Sequence, residues 1–235
     1  MNGNINIFNN DCLEEMKNIK DKSIDLIFTS PPYYINLDYE THFNSYNQYL
    51  KWVNKWIKET KRILKLDGIF LLNIANNKDT PIKSHEILEI CIENNYKLHD
   101  TIIWAVNNRQ PSNSNKYLTN QQEYIFMLVN RSLNIKLNKN IIDKYSNIFL
   151  SKNISNIWVI PFISNKNNKI KYHSGFPKLL CDLVIDLFTN ENDLVLDFFL
   201  GSGMLGLSCI HKNRRFIGIE KDKDIFDFAK KRLNE

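Results

Sequence analysis

The sequence predicts an α/β protein: a mostly parallel, seven-stranded sheet with helices on both faces. Three observations predict it. Short apolar runs alternate with helix-period stretches along nearly the whole chain. One run, Ile24–Phe28, stops at consecutive prolines, Pro31 and Pro32. Another, ending at Asp197, opens into Gly201 and Gly203 and then a helix, with only residues 221–235 beyond the next strand. The glycine unit is therefore last in the chain, and the other strands of its sheet must come from residues before it.

The elements follow in order. Asn4–Phe8 reads as a strand, and Asp11 as the cap of a short helix to about Ile19, with Glu14 three residues on. Ile24–Phe28 is a buried strand. Residues 34–47 are polar and aromatic without a period, a long loop. Tyr49, Val53, Trp56, Ile57, Thr60, Ile63 and Leu64 recur at helical spacing. Asp67–Gly68 reads as a turn before the strand Ile69–Ala75. A helix over Ser84–Asn94, a strand over Lys97–Val106, a polar loop over 107–120 and a strand over Glu123–Val129 follow. Residues 130–172 change character: they alternate Lys, Asn and Ile, hold Pro161 and read as an irregular or short-stranded insertion. Pro177 opens a helix to about Thr189. Asp193–Phe199 and Arg215–Glu220 are strands, and Gly203–His211 and Asp222–Leu233 are helices.

Composition bounds the rest. The 235 residues suit one domain with an insertion, and a 43% apolar share supplies a core. A net charge of +5 fits a nucleic-acid partner without requiring one. No apolar run reaches membrane length, and Met1–Asn10 has no apolar signal region, so a cytoplasmic protein without a membrane partner is expected. Cys12, Cys91, Cys181 and Cys209 have no metal-ligand spacing, and none follows a proline; the five histidines are unpaired. No metal is expected.

The proline tip carries the chemistry. Pro31 and Pro32 stiffen the loop and offer carbonyls without a competing proline N–H. Ser30 adds a hydroxyl acceptor, and Tyr33 a flat ring that can stack. Two acceptors and a stacking face suit a planar ring bearing an exocyclic amino group. At the other end, Gly201-x-Gly203-x-x-Gly206 lets backbone approach a ligand closely, and Glu220 stands where a carboxylate can bind ribose hydroxyls. A nicotinamide dehydrogenase shares that fingerprint, but its domain needs further βα units after it, which residues 221–235 do not provide.

The order of these pieces resembles the β-class S-adenosylmethionine-dependent DNA amino methyltransferases. Thr29–Tyr33 is similar to the family's catalytic motif. Asp11-Cys12-Leu13 resembles the segment that contacts the cofactor's adenine. Arg62–Lys65 with Gly68-Ile69, then Trp104, then Gln122-Glu123, match further family stretches. His173, Phe176 and Pro177 resemble a cofactor segment, Asp197–Gly203 the cofactor loop, and Glu220 its ribose-binding acid. Phe198 stands where the family has proline, Met204 and Leu205 where it has Thr-Thr, and Gln122 where it has histidine.

The resemblance implies a circularly permuted Rossmann-like methyltransferase fold. Residues 1–129 hold the catalytic part, 130–172 a target-recognition insertion and 173–235 the cofactor-binding part. Ser30, Pro31, Pro32 and Tyr33 would act on the base. Asp11, Cys12, Phe176, Pro177, Asp197, Phe199, Gly201, Ser202, Gly203 and Glu220 would hold S-adenosylmethionine. The plain structural roles of the same residues are a cap for Asp11 and Asp197, core for Phe199 and a helix-end charge for Glu220. Tyr34, Tyr39, Lys136, Lys139, Lys144, Lys169 and Lys171 would touch double-stranded DNA; a solvated lysine face and loop packing account for them as well. No strong general base stands out. Ser at position 30 is commoner in N4-cytosine than in N6-adenine enzymes, so cytosine N4 is the expected target and adenine N6 the alternative. The family implies a bacterial, nucleoid-associated monomer or homodimer, working with a cognate restriction endonuclease. A nicotinamide-dependent dehydrogenase and an inactive DNA-binding subunit are the remaining alternatives.

Overall fold

The computed structural model describes residues 5–34, 43–109, 118–131, 141–149, 153–162 and 175–234. The strands are β1 (Ile5–Asn9), β2 (Ile24–Thr29), β3 (Leu64–Ile74), β4 (Lys97–Ala105), β5 (Gln122–Val129), β6 (Ile157–Val159), β7 (Leu194–Asp197) and β8 (Arg215–Glu220). The helices are α1 (Cys12–Met16), α2 (Tyr46–Ile63), α3 (Lys83–Glu93), α4 (Ile142–Tyr145), α5 (Lys178–Phe188), α6 (Met204–His211) and α7 (Lys223–Asn234). The strands form one sheet in the order β1-β8-β7-β2-β3-β5-β4-β6. All neighbours are parallel except β5, which runs antiparallel to both β3 and β4.

Period-two alternation distributes the core to both faces. In β2 and β3, Leu26, Phe28, Ile69 and Leu71 join one cluster with α5, α6 and α7; Ile27, Phe70 and Leu72 join another with α1, α2 and α3. The helical stripe predicted on α2 is buried from Tyr49 to Ile63, and Ser45 caps that helix by accepting from the Gln48 N–H. Asp11 caps α1, as its spacing predicts, by accepting from Leu13 N at 2.9 Å. Glu14 does not complete a capping box; it pairs with Lys17.

Two expectations are corrected. The sheet has eight described strands, not seven. The added strand, β6, comes from the 130–172 stretch and pairs with β4 at the edge. It is held there by Trp158, whose ring is buried and whose Nε1 donates to the Ser155 carbonyl at 2.8 Å. Asp67–Gly68 is not a turn between elements but lies inside β3, which follows α2 directly. Ile24 pairs with Leu64 and Leu26 with Ile69, so the strand bulges at Lys65–Gly68. Glycine is needed there: a Cβ would stand 2.8 Å from Leu64 Cδ1 and 3.0 Å from the Ile24 and Asp25 carbonyl oxygens.

The topology creates the site. β2 and β7 are parallel neighbours, with Leu26 opposite Val195. The chain leaves β2 through α2 to β3 on one side, and leaves β7 through α6 to β8 on the other. Their carboxyl ends therefore flank a switch point, where a crevice opens in parallel sheets.

Candidate active site

The two anchors meet at this crevice. Thr29, the last residue of β2, donates from Oγ1 to Asp197 Oδ1, at the end of β7, at 2.7 Å. The same oxygen accepts from Phe199 N at 3.1 Å, so Asp197 also shapes the turn into the glycine loop. Burial pushes the Asp197 carboxyl up to about 7, Glu220's charge adds to the rise, and the bonds from Thr29 and Phe199 oppose it.

The glycine loop is built for close approach. Gly201 has φ +51° and Gly203 φ +75°, both left-handed. A Cβ at Gly201 would make one ordinary contact, with the Phe199 carbonyl oxygen at 3.8 Å, and would clash with nothing. Gly203 begins α6, whose first turn has no side-chain cap. Glu220 accepts from Gly201 N on Oε2 and from Asp222 N on Oε1, both at 2.9 Å. Each oxygen keeps further acceptor capacity for a ligand hydroxyl. Burial raises this carboxyl's pKa, against the two backbone bonds.

On the other wall, Phe176 stacks on Phe28 with centroids 4.2 Å apart, and Pro177 is buried at the start of α5. Phe199 packs on Trp52 at 5.5 Å and on Phe198 at 4.6 Å. Asp11 caps α1 and reaches Lys221 at 3.3 Å, while Cys12 is buried. Ser202 is buried, and its carbonyl accepts from Arg232 at 2.7 Å.

The proline tip is fixed from three sides. Tyr49 Oη donates to the Pro32 carbonyl at 2.8 Å. Lys83 is buried, donates from Nζ to the Tyr33 carbonyl at 2.6 Å, and lies 5.2 Å from the centre of that ring. Ser30 Oγ donates to Tyr33 Oη at 2.8 Å, and Tyr33 Oη donates to Glu123 Oε2 at 3.0 Å. Asn73 Nδ2 reaches Tyr33 Oη at 2.7 Å and Glu123 Oε2 at 2.8 Å, and Arg109 holds the other Glu123 oxygen. Burial first, and Glu123 second, keep the Tyr33 phenol protonated well above its ordinary range. Tyr34, at φ +51°, leans on Tyr46 and Tyr49 at 5.4 Å. It lines a cleft of about 600 Å³ with Tyr46, Asn77, Thr80, Ile82 and Glu86.

These features have counterparts among known proteins. The family model described as "DNA methylase", for N6 and N4 methylases, matches residues 24–231. The chain belongs to the N6/N4 DNA methylase family. Its relatives include the Type II methyltransferase M2.MboI of Moraxella bovis, 28% identical over 99% of this chain and 88% of that protein. M.HpaI of Haemophilus parainfluenzae is 30% identical over 95% and 72%. The DNA adenine methyltransferase YhdJ of Escherichia coli is 25% identical over 97% and 82%. Among solved structures, the cytosine-N4-specific PvuII DNA methyltransferase matches in fold at TM-score 0.80, with 22% identity over 98% of this chain and 86% of that one. M1.HpyAVI matches at TM-score 0.71 and 28% identity, over 98% and 99%.

Within this N6/N4 methylase, two of the departures from the family motifs, Phe198 and Leu205, are core residues. Phe198, in place of proline, is buried and packs on Trp56 at 5.5 Å. Leu205, in the first turn of α6, is buried in the core. Asn73, Lys83 and Arg109 join the site although no motif in the sequence singles them out. Asn73 does carry a signal, as an amide inside the apolar run Ile69–Ala75. Lys144 lies away from the crevice. It pairs at 2.7 Å with Asp186 in the last turn of α5, the turn nearest the starts of the strands. Tyr39, Lys136, Lys139, Lys169, Lys171 and His173 lie outside the described residues. No described helix is long and apolar enough to cross a membrane.

Proposed function

We propose that this methylase transfers a methyl group from S-adenosylmethionine to the exocyclic amino nitrogen of a base flipped out of double-stranded DNA, with cytosine N4 as the target. One observation carries the reading: the Ser30–Tyr33 loop and the Asp197–Gly203 loop leave adjacent parallel strands and are joined by the bond from Thr29 to Asp197.

The residues present fit the cofactor. The acids Asp197 and Glu220 suit a cationic ligand with ribose hydroxyls, Gly201 leaves room for it, and the uncapped start of α6 suits its carboxylate. Phe176, Pro177 and Phe199 would line the adenosyl group, with Asp11, Cys12, Ser202 and Gly203 completing the wall. S-adenosylmethionine, when bound, supplies an electrophilic methyl on sulfonium sulfur. The protein's own part is positioning. Ser30 Oγ and the Pro31 carbonyl accept from the amine and aim its lone pair, while Tyr33 flanks the base. Tyr34 and Tyr39 would hold the extruded nucleotide. Lys136, Lys139, Lys169 and Lys171 would contact phosphate.

Ser30 at the head of the motif favours cytosine. The name of the Escherichia coli relative favours adenine. The Type II names of the other relatives support a partner restriction endonuclease. Incubating the protein with unmodified genomic DNA and labelled cofactor, then separating nucleosides, tests the reading. N4-methylcytosine is expected. N6-methyladenine would move the target, and no labelled nucleoside would overturn the reading.

A further inference from the structure

We propose that Ser30, Tyr33 and Glu123 form a proton relay that carries the proton released at the target amine away from the base, with Glu123 as its terminal acceptor. The proposal rests on the methyl-transfer reading above. It identifies a base where the sequence offered none.

The direction of the chain is set at its far end. A carboxylate only accepts, so the Tyr33 proton points to Glu123 Oε2, 3.0 Å away. The Ser30 proton then points to Tyr33 Oη, 2.8 Å away. Asn73 Nδ2 lies 2.7 Å from Tyr33 Oη, 2.8 Å from Glu123 Oε2 and 3.3 Å from Ser30 Oγ; as a donor to all three oxygens it reinforces that polarity. Arg109 engages the remaining Glu123 oxygen. With its own proton committed inward and one lone pair facing Asn73, Ser30 Oγ keeps a second lone pair for an N–H donor. Glu123 is buried, so it meets the amine only through this relay. The high pKa of the Tyr33 phenol keeps its proton on oxygen in the resting chain.

The atoms balance. The amine nitrogen forms a bond to the methyl carbon, and the carbon–sulfur bond breaks with its electron pair remaining on sulfur. The nitrogen now carries the methyl, two hydrogens and a positive charge. One of these protons passes to Ser30 Oγ as the Ser30 proton passes to Tyr33 Oη and the Tyr33 proton to Glu123. The methylated amine is neutral, and Glu123 is a neutral acid. Its proton leaves to water after product release.

The test uses single-turnover methyl transfer to unmethylated genomic DNA by the wild type, Tyr33→Phe, Glu123→Gln and Glu123→Asp. Solvent deuterium isotope effects and calorimetric cofactor affinity are measured alongside. Tyr33→Phe keeps the ring and cuts the relay. It should lose roughly a hundredfold in rate, keep cofactor affinity within about twofold, and lose the wild type's isotope effect, which a merely structural role would leave in place. Glu123→Gln should match it, the double variant should be no slower than either, and Glu123→Asp should recover part of the rate. Should Glu123→Gln fail to fold, Tyr33→Phe still decides. Transfer by Tyr33→Phe at the wild-type rate, an unchanged isotope effect or abolished cofactor binding would overturn the relay alone. No transfer by the wild type would overturn the methyl-transfer reading and the relay together.

Discussion

Thr29 and Asp197, 168 positions apart in sequence, are joined by a 2.7 Å hydrogen bond that ties the strand carrying the proline tip to the strand carrying the glycine loop. Asp197 is buried, and its carboxyl is pushed from 3.8 up to about 7. The unfolded chain therefore releases this proton first, and Asp197 makes the free protein lose stability as pH rises from about 4 to 7. A bound cation favours the ionised form, so cofactor binding should tighten over the same window. In Asp197→Asn both slopes should flatten and affinity should fall. Calorimetry across pH 5 to 8 checks the binding slope, and denaturant titration the stability slope.

Gly201 and Gly203 should separate the loop's two tasks. Both have positive φ, which costs an L-residue about 1–2 kcal/mol. At Gly203 a Cβ also presses on Ala229 Cβ at 3.1 Å, so Gly203→Ala should lower the melting temperature more than Gly201→Ala does. At Gly201 the methyl meets only the Phe199 carbonyl oxygen, at 3.8 Å, so Gly201→Ala should weaken cofactor binding more than its modest loss of stability would suggest. Thermal unfolding and cofactor titration on both variants check the contrast.

Gly68→Ala tests the bulge in β3. The added methyl meets Leu64 and two backbone oxygens of β2, and backbone cannot yield cheaply. A loss of about 1–3 kcal/mol is expected, read by denaturant unfolding.

Lys83→Met should loosen the proline tip without touching the glycine loop. The ammonium holds the Tyr33 carbonyl at 2.6 Å from a buried position. Methionine fills the space but cannot donate. Turnover should fall roughly ten- to a hundredfold through misplacement, with cofactor affinity unchanged. Parallel rate and binding measurements check the split.

Local pattern carries the sheet, the proline tip and the glycine loop, because strand period, proline and glycine act within a few residues of themselves. The network around Tyr33 lies beyond such patterns. Asn73 and Glu123 meet because β3 and β5 pair antiparallel, with Asn73 opposite Ile125. No periodicity encodes that register across 50 positions. Lys83 reads as a surface residue until the loop it anchors folds over it. Asp67–Gly68 misleads for the converse reason: pairing with β2 overrides a local turn signal and makes it a bulge.

The last prediction separates two kinds of lysine. Lys144 Nζ is bound to Asp186, which also takes Lys212 at 2.6 Å and Tyr145 at 2.6 Å, at the end of α5 away from the crevice. Lys144→Ala should change stability by no more than about 1 kcal/mol. It should leave DNA affinity and its salt dependence untouched. Lys136→Ala with Lys139→Ala should weaken DNA binding and reduce the salt slope by up to about one for each phosphate no longer neutralised, with cofactor affinity intact. Filter-binding or anisotropy titrations over a range of salt concentrations check both. A reduced slope for Lys144→Ala would mean that DNA wraps past the strand carboxyl ends onto α5. An unchanged slope for the Lys136 and Lys139 pair would make these lysines an ordinary solvated face.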